Sequence, residues 1–72
     1  MQFNYDLLKN LRKKLKITQE QTASACKVSQ KTVSRWETGE SEPSLEELQA
    51  LANLLNVETY ALIIEKVGKN SA

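Results

Sequence analysis

Lys31, Ser34, Arg35 and Thr38 recur at the i, i+3, i+4, i+7 spacing that gathers side chains on one face of an α-helix. Two are cations, two are hydroxyls, and no carboxylate lies among them. Exposed helix faces ordinarily mix signs, with Glu one turn from Lys or Arg. Ser and Thr are also weak helix formers in an interior position. The face is therefore either a solvated surface of unusual composition or a row of donors aimed at an acceptor-rich partner. The acceptors that suit it are phosphate oxygens and base edges, where Arg or Lys pairs with guanine O6 and N7 and Gln with adenine N6 and N7.

The opposite face of the same segment carries Val33, Trp36, Ser29 and Glu37. An inward carboxylate needs a partner, because burying it unpaired is costly. On the first helix the apolar stripe is Leu7, Leu8, Leu11 and Leu15, with Arg12 on its border and Lys9 and Lys13 pointing away. This geometry predicts an Arg12–Glu37 ion pair tying the first helix to the third.

Other chemistries find few residues to work with. The chain has no histidine, one cysteine and two glycines, Gly39 and Gly68. His-based acid–base catalysis, a multi-thiolate metal site and a phosphate-cradling glycine loop are all excluded. Cys26 reads as a small core hydrophobe, and a lone cysteine fits a reducing compartment. Tyr60–Ile64 is the longest apolar run, far below the ~20 residues that span a bilayer. Met1–Asn10 lacks the basic and apolar pattern of a secretory leader. The expectation is a non-enzyme without cofactor, metal, membrane or evident small-molecule ligand.

The elements that must position the donor face are short and helical. Asn4 can cap a first helix. Thr18 and Gln21 form a capping-box pattern ahead of a second, in which Ala23 and Cys26 are the best buried candidates. Ser29 is a good N-cap for the third, Gln30 to about Thr38, and Gly39 can close it in the left-handed conformation. Ser44 and Glu47 repeat the capping box for a fourth, with Leu45, Leu48, Leu51, Ala52 and Leu55 inward. A fifth helix is expected over about Thr59–Lys66, with strand signals nearly absent. At 72 residues the chain makes one small domain, expected over 1–67 with a flexible tail at 68–72. Apolar residues lie nearly all round the expected fifth helix, so Tyr60, Ile64 and Val67, with Leu54, are candidates for a homodimer contact.

The run Thr18–Gln19–Glu20–Gln21–Thr22–Ala23, then Val28–Ser29, then Val33–Ser34–Arg35–Trp36–Glu37–Thr38–Gly39, then Pro43, Leu48, Leu51–Ala52 and Leu55–Asn56–Val57 resembles the Cro and lambda-repressor type helix-turn-helix (XRE) family of DNA-binding transcriptional regulators. The resemblance covers about Leu7 to Leu62. It implies an all-α, compact five-helix bundle with the helix-turn-helix at about 19–38 and the third helix in the DNA major groove. It further implies a repressor that binds a pseudo-palindromic operator as a homodimer, in the cytoplasm of a bacterium or from a phage. Gln30, Lys31 and Arg35 match the family's base-reading positions, with Thr32 and Ser34 beside them. Gln19, Ser29 and Thr38 match phosphate contacts, and Arg12 with Glu37 matches an internal salt bridge. Lys27 and Lys16 stand where the family often has Gly, and Lys27 could reach a phosphate. Thr22 replaces a usual Leu. The competing reading is a protein-interaction module, such as an antitoxin or an inhibitor of another regulator.

The formal net charge of +1 hides a division. Residues 1–35 carry eight basic side chains against Asp6 and Glu20, a net of +6. Residues 36–72 carry Lys66 and Lys69 against seven glutamates, a net of −5. A basic half holding the helix-turn-helix would turn toward a phosphate backbone.

Overall fold

The computed structural model describes residues 2–64. In chain order the elements are β1 (Gln2–Phe3), α1 (Tyr5–Lys14), α2 (Gln19–Cys26), α3 (Gln30–Thr38), α4 (Leu45–Leu55), a 3₁₀ turn (Thr59–Leu62) and β2 (Ile63–Ile64). Every α-helix starts on a side-chain cap. Asn4 accepts from Leu7 N, and Ser29 from Thr32 N. Thr18 with Gln21 and Ser44 with Glu47 form complete capping boxes. Each cap satisfies N–H groups that the helix itself leaves without partners.

The helix ends share one device. Lys16, Lys27, Gly39 and Asn56 all have positive φ, and the next residue's N–H returns to the carbonyl five residues back: Ile17 to Arg12, Val28 to Ala23, Glu40 to Arg35 and Val57 to Ala52. These are left-handed C-terminal motifs. Ile17, Val28 and Val57 then pack on the core, so each turn closes a helix and seals a gap together. At Lys16 (φ 60) and Lys27 (φ 59) a side chain occupies a conformation that disfavours any residue with a Cβ. Lys16→Gly is therefore expected to gain about 0.5–1 kcal/mol, after allowance for the freer unfolded chain. An unchanged or lower urea midpoint would contradict it. Gly39 is tighter still, since a Cβ there would lie 2.9 Å from Cε1 of Tyr5.

The core joins Leu8 of α1, Ala23 and Cys26 of α2, Val33 and Trp36 of α3, and Leu48, Leu51, Ala52 and Leu55 of α4 to Phe3 and Leu62. Thr22 is fully buried, and its hydroxyl donates to the carbonyl of Thr18 at 2.9 Å. The polar atom that replaces an apolar branch is thereby satisfied. Two expected core residues face out: Leu45 is 62% exposed at the first position of α4, and Leu15 is 47% exposed just past α1. No described helix is long and apolar enough to cross a membrane.

Among the described residues no fifth α-helix is present. After Asn56 the chain makes one 3₁₀ turn and becomes extended at Ile63, so the described domain has four α-helices. Glu58 gives that turn no side-chain cap, and the two β-branched isoleucines are stiff in a helix but suit an extended strand. β2 pairs antiparallel with β1, Gln2 opposite Ile64 and Phe3 opposite Ile63, and Asn4 N donates to Leu62 O at 2.8 Å. The helical periodicity expected from Thr59 therefore does not apply to residues 59–64. Leu62 is buried, Tyr60 is 75% exposed, and Leu54 is half-buried. Val67 and the expected tail lie outside the described residues.

Candidate nucleic-acid interface

The amphipathic division of α3 is sharp. Val33 and Trp36 are almost fully buried and Glu37 is 5% exposed, while Gln30, Lys31, Arg35 and Thr38 are exposed and Thr32 and Ser34 half-buried. Two apolar anchors and one carboxylate thus hold the helix, and its donors face solvent.

The carboxylate is the centre of a network. Arg12 Nε donates to Glu37 Oε2, and Arg12 Nη2 donates to Oε1 at 3.1 Å. The third nitrogen, Nη1, donates to the Ile17 carbonyl at 2.9 Å, on the turn into α2. Gln19 Nε2 donates to Glu37 Oε1 at 3.0 Å, and Gln30 Nε2 donates to Gln19 Oε1 at 3.3 Å. One chain of bonds runs from α1 through the C-terminal part of α3 and the first residue of α2 to the first residue of α3. Among the described residues no buried side-chain nitrogen or oxygen is left without a partner. The two-pronged Arg–carboxylate contact fixes orientation as well as charge.

Burial alone would push the Glu37 carboxyl up. Hydrogen bonds from Arg12 and Gln19, and the charges of Arg12 and Lys9, outweigh that and hold it below the usual glutamate value. A carboxylate whose pKa is lower folded than unfolded stabilises the fold above its unfolded pKa, about 4.3, and loses that effect as pH falls through its folded pKa. Glu37→Gln is therefore expected to lie below the wild type in urea stability at neutral pH, with the gap closing below about pH 4. A gap that stayed constant into acid would contradict the pair's ionic character.

The remaining polar residues fall into two groups. Lys27 on the α2–α3 turn, Lys31 and Arg35 are exposed cations. Arg35 Nε lies 3.9 Å from Glu40 Oε1, with both side chains largely exposed, so this pair is weak and easily exchanged. Other residues already have local duties. Ser29 Oγ caps α3 and meets Thr32 Oγ1 at 3.0 Å, and Thr38 Oγ1 donates back to the Arg35 carbonyl at 3.2 Å. The Gln19 side chain is the largest surprise: it braces Gln30 against Glu37 instead of standing free. Its contact with Gln30 is not legible in the sequence, because two helix starts meet only once the left-handed turn at Lys27 is in place. Cys26 is buried, and burial with the nearby Glu47 charge raises its thiol pKa, as befits a core hydrophobe. No group of three His, Cys, Asp or Glu among the described residues could hold a metal.

The Helix-turn-helix family matches residues 8–62. The HTH-type transcriptional regulator DicA of Escherichia coli K12 is 50% identical over 44 residues, 61% of this chain and 33% of DicA. The HTH-type transcriptional activator BcrR of Enterococcus faecalis is 37% identical over 63 residues, 88% of this chain and 30% of BcrR. The chain thus spans about a third of the length of these curated relatives. Among solved structures, the P22 c2 repressor protein in complex with synthetic operator 9T is similar, with a TM-score of 0.80 and 35% identity. The match covers 88% of this chain and 96% of that one.

Proposed function

Since the chain belongs to the helix-turn-helix family of the Cro and lambda-repressor (XRE) type, we propose that it is a sequence-specific regulator of transcription that reads double-stranded DNA with α3 in the major groove. The observation that carries this is the exposed edge of Gln30, Lys31 and Arg35 on a helix locked from behind by Val33, Trp36 and the Glu37 network. A rigid helix with donors outward suits base edges. Gln30, Lys31 and Arg35 are assigned to the bases, with Thr32 and Ser34 beside them. Lys27, Ser29, Thr38 and the start of α2 at Gln19 are assigned to phosphates, where a helix N-terminus also favours an anion.

The simplest mode of action is occlusion of a promoter, which makes the protein a repressor. Support for that is analogical: the P22 c2 protein is named a repressor, whereas BcrR is named an activator. A pseudo-palindromic operator would be bound by two copies with half-sites about one helical turn apart. Leu54 and Tyr60 are proposed at their contact, with Ile64 and Val67 following in sequence.

Retardation of random-sequence duplex DNA tests the reading. Binding is expected at low salt, with the logarithm of affinity falling by about 0.9 per phosphate neutralised for each decade of salt. No retardation at low salt would overturn DNA binding and favour a protein-interaction module.

A further inference from the structure

Arg35 lies in the last turn of α3, where helices ordinarily fray. Gln30, at the other end, is held by its side chain, which bonds to Gln19 and through it to Glu37. Arg35 is held at its backbone instead. Its carbonyl accepts from Glu40 N at 3.0 Å, from Thr38 Oγ1 at 3.2 Å and from Ser41 N at 3.4 Å. Glu40 and Ser41 lie beyond Gly39, so their amides reach that carbonyl only while Gly39 keeps its left-handed conformation, φ 83.

The ring of Tyr5 covers that turn. Tyr5 is the first residue of α1 and is half-buried against the core. Its ring stands where a side chain of residue 39 would have to go: a Cβ on Gly39 would lie 2.9 Å from Cε1, 3.1 Å from Cζ and 3.3 Å from Cδ1. Ring carbons make this contact, so it does not depend on the hydroxyl. The segment carrying Tyr5 is itself anchored. Asn4, the cap of α1, donates its backbone N–H to Leu62 O at 2.8 Å, and Phe3 is 3% exposed and pairs with Ile63. Phe3 N also donates to Glu42 Oε2 at 3.5 Å, across the α3–α4 link.

We propose that Tyr5 is a positioning residue for Arg35: its ring closes the left-handed turn at Gly39 and so fixes the backbone from which Arg35 reads its base. The inference rests on the DNA-binding reading of α3 and adds to it a residue assigned no contact with DNA. An opened turn would lose the ring's packing on Gly39 and the two amide bonds to Arg35 together, so the ring makes local opening more costly. Arginine is a long side chain, and a two-pronged contact with guanine tolerates little displacement of the backbone that carries it. The two ends of α3 are thus held by separate devices, the Glu37 network at Gln30 and the Tyr5 ring at Arg35.

Two readouts test it, with urea midpoints measured alongside. Tyr5→Leu and Tyr5→Met both keep an apolar side chain without a ring, so the test does not rest on one variant folding, and Tyr5→Phe keeps the ring. In the free protein, amide exchange at Glu40 and Ser41 should quicken relative to Thr32 in the two ringless variants and stay at the wild-type rate in Tyr5→Phe. On DNA, duplexes selected from a random pool are changed at one base pair at a time. Arg35→Ala marks the base pair that Arg35 reads, and Gln30→Ala the one that Gln30 reads. The ringless variants should lower the preference at the first by about threefold or more, the scale on which coupled positions act on each other. The preference at the second, and affinity for random duplex, should stay as in the wild type. In the Arg35→Ala background the loss of the ring should change no preference. Wild-type exchange at Glu40 and Ser41 in the ringless variants overturns the closing role of the ring. Quickened exchange with an intact preference at the Arg35 base pair overturns the positioning of Arg35. Equal losses at both base pairs also overturn it, since α3 then loosens as a whole. A wild type with no preference among the selected duplexes removes the underlying DNA-binding reading, and the positioning of Arg35 with it, whatever the exchange rates.

Discussion

Arg12→Met is expected to destabilise the domain by about 3–5 kcal/mol, the usual cost of removing one partner from a buried ion pair. The substitution keeps the aliphatic bulk and deletes all three donors that reach Glu37 and the Ile17 carbonyl. Glu37 is then left in a site where its side chain is 2% exposed. A domain of this size holds only about 4–10 kcal/mol in total, so a large fraction of its stability is at stake. Desolvation makes the intact pair a weak net stabiliser, and this separates two outcomes. Arg12→Met/Glu37→Leu should recover much of the loss, because an apolar pair leaves no charge behind. Urea denaturation of the two single variants and the double gives the coupling directly. A loss below about 1 kcal/mol for Arg12→Met would mean that the pair behaves as an exposed one.

This pair is legible in the sequence because it needs only two helix phases: Glu37 turns inward beside Val33 and Trp36, and Arg12 borders the leucine stripe of α1. The caps are legible for a similar reason. Asn4, Thr18 with Gln21, Ser29, and Ser44 with Glu47 act on N–H groups within one turn of themselves, so their spacing carries the information. Where long-range pairing decides, the pattern misleads. Ile63 and Ile64 fall in step with a helix, but Gln2 and Phe3 give them an antiparallel partner from the far end of the chain. A two-residue strand is too short to alternate visibly, so β1 gives no signal and nothing in the pattern places Phe3 in the core. Leu45 matches the inward phase of α4, yet at the first position of the helix it is 62% exposed.

The same distinction bears on the interface. Exposure of Gln30, Lys31 and Arg35 follows from the phase of α3, fixed by Val33 and Trp36. The bracing of Gln30 does not, because it passes through Gln19, on a different helix. The charge division supplies the longer range. The basic half contains α1, α2 and most of α3, whereas four of the seven glutamates of the acidic half lie in the α3–α4 link and the first turn of α4. Such a division would orient the molecule toward a phosphate backbone, and the near-neutral total would keep its indiscriminate affinity modest.

Gln30→Ala/Arg35→Ala is expected to weaken binding to a selected operator by about 2–6 kcal/mol, since each base-reading contact contributes about 1–3 kcal/mol of discrimination. That is about one and a half to four decades in affinity. Both side chains are exposed, so the urea midpoint should move little, and affinity for random duplex should fall far less than affinity for the operator. If Arg35 turned from Glu40 to a base, it would give up only a 3.9 Å approach, a small loss for so exposed a pair. Gln19 sharpens the test. If its side chain served only a phosphate, Gln19→Ala would weaken all sequences alike. Because it accepts from Gln30 Nε2 and donates to Glu37 Oε1, Gln19→Ala should also relax the base preference at the position Gln30 reads. In the background of Gln30→Ala that extra effect should vanish, which makes the two substitutions non-additive. Fluorescence titrations of the wild type, the two single variants and the Gln19→Ala/Gln30→Ala double against operator variants changed at one base pair at a time read this out. Full additivity, with Gln19→Ala uniform across all variants, would return Gln19 to a plain phosphate contact and leave Gln30 to orient itself.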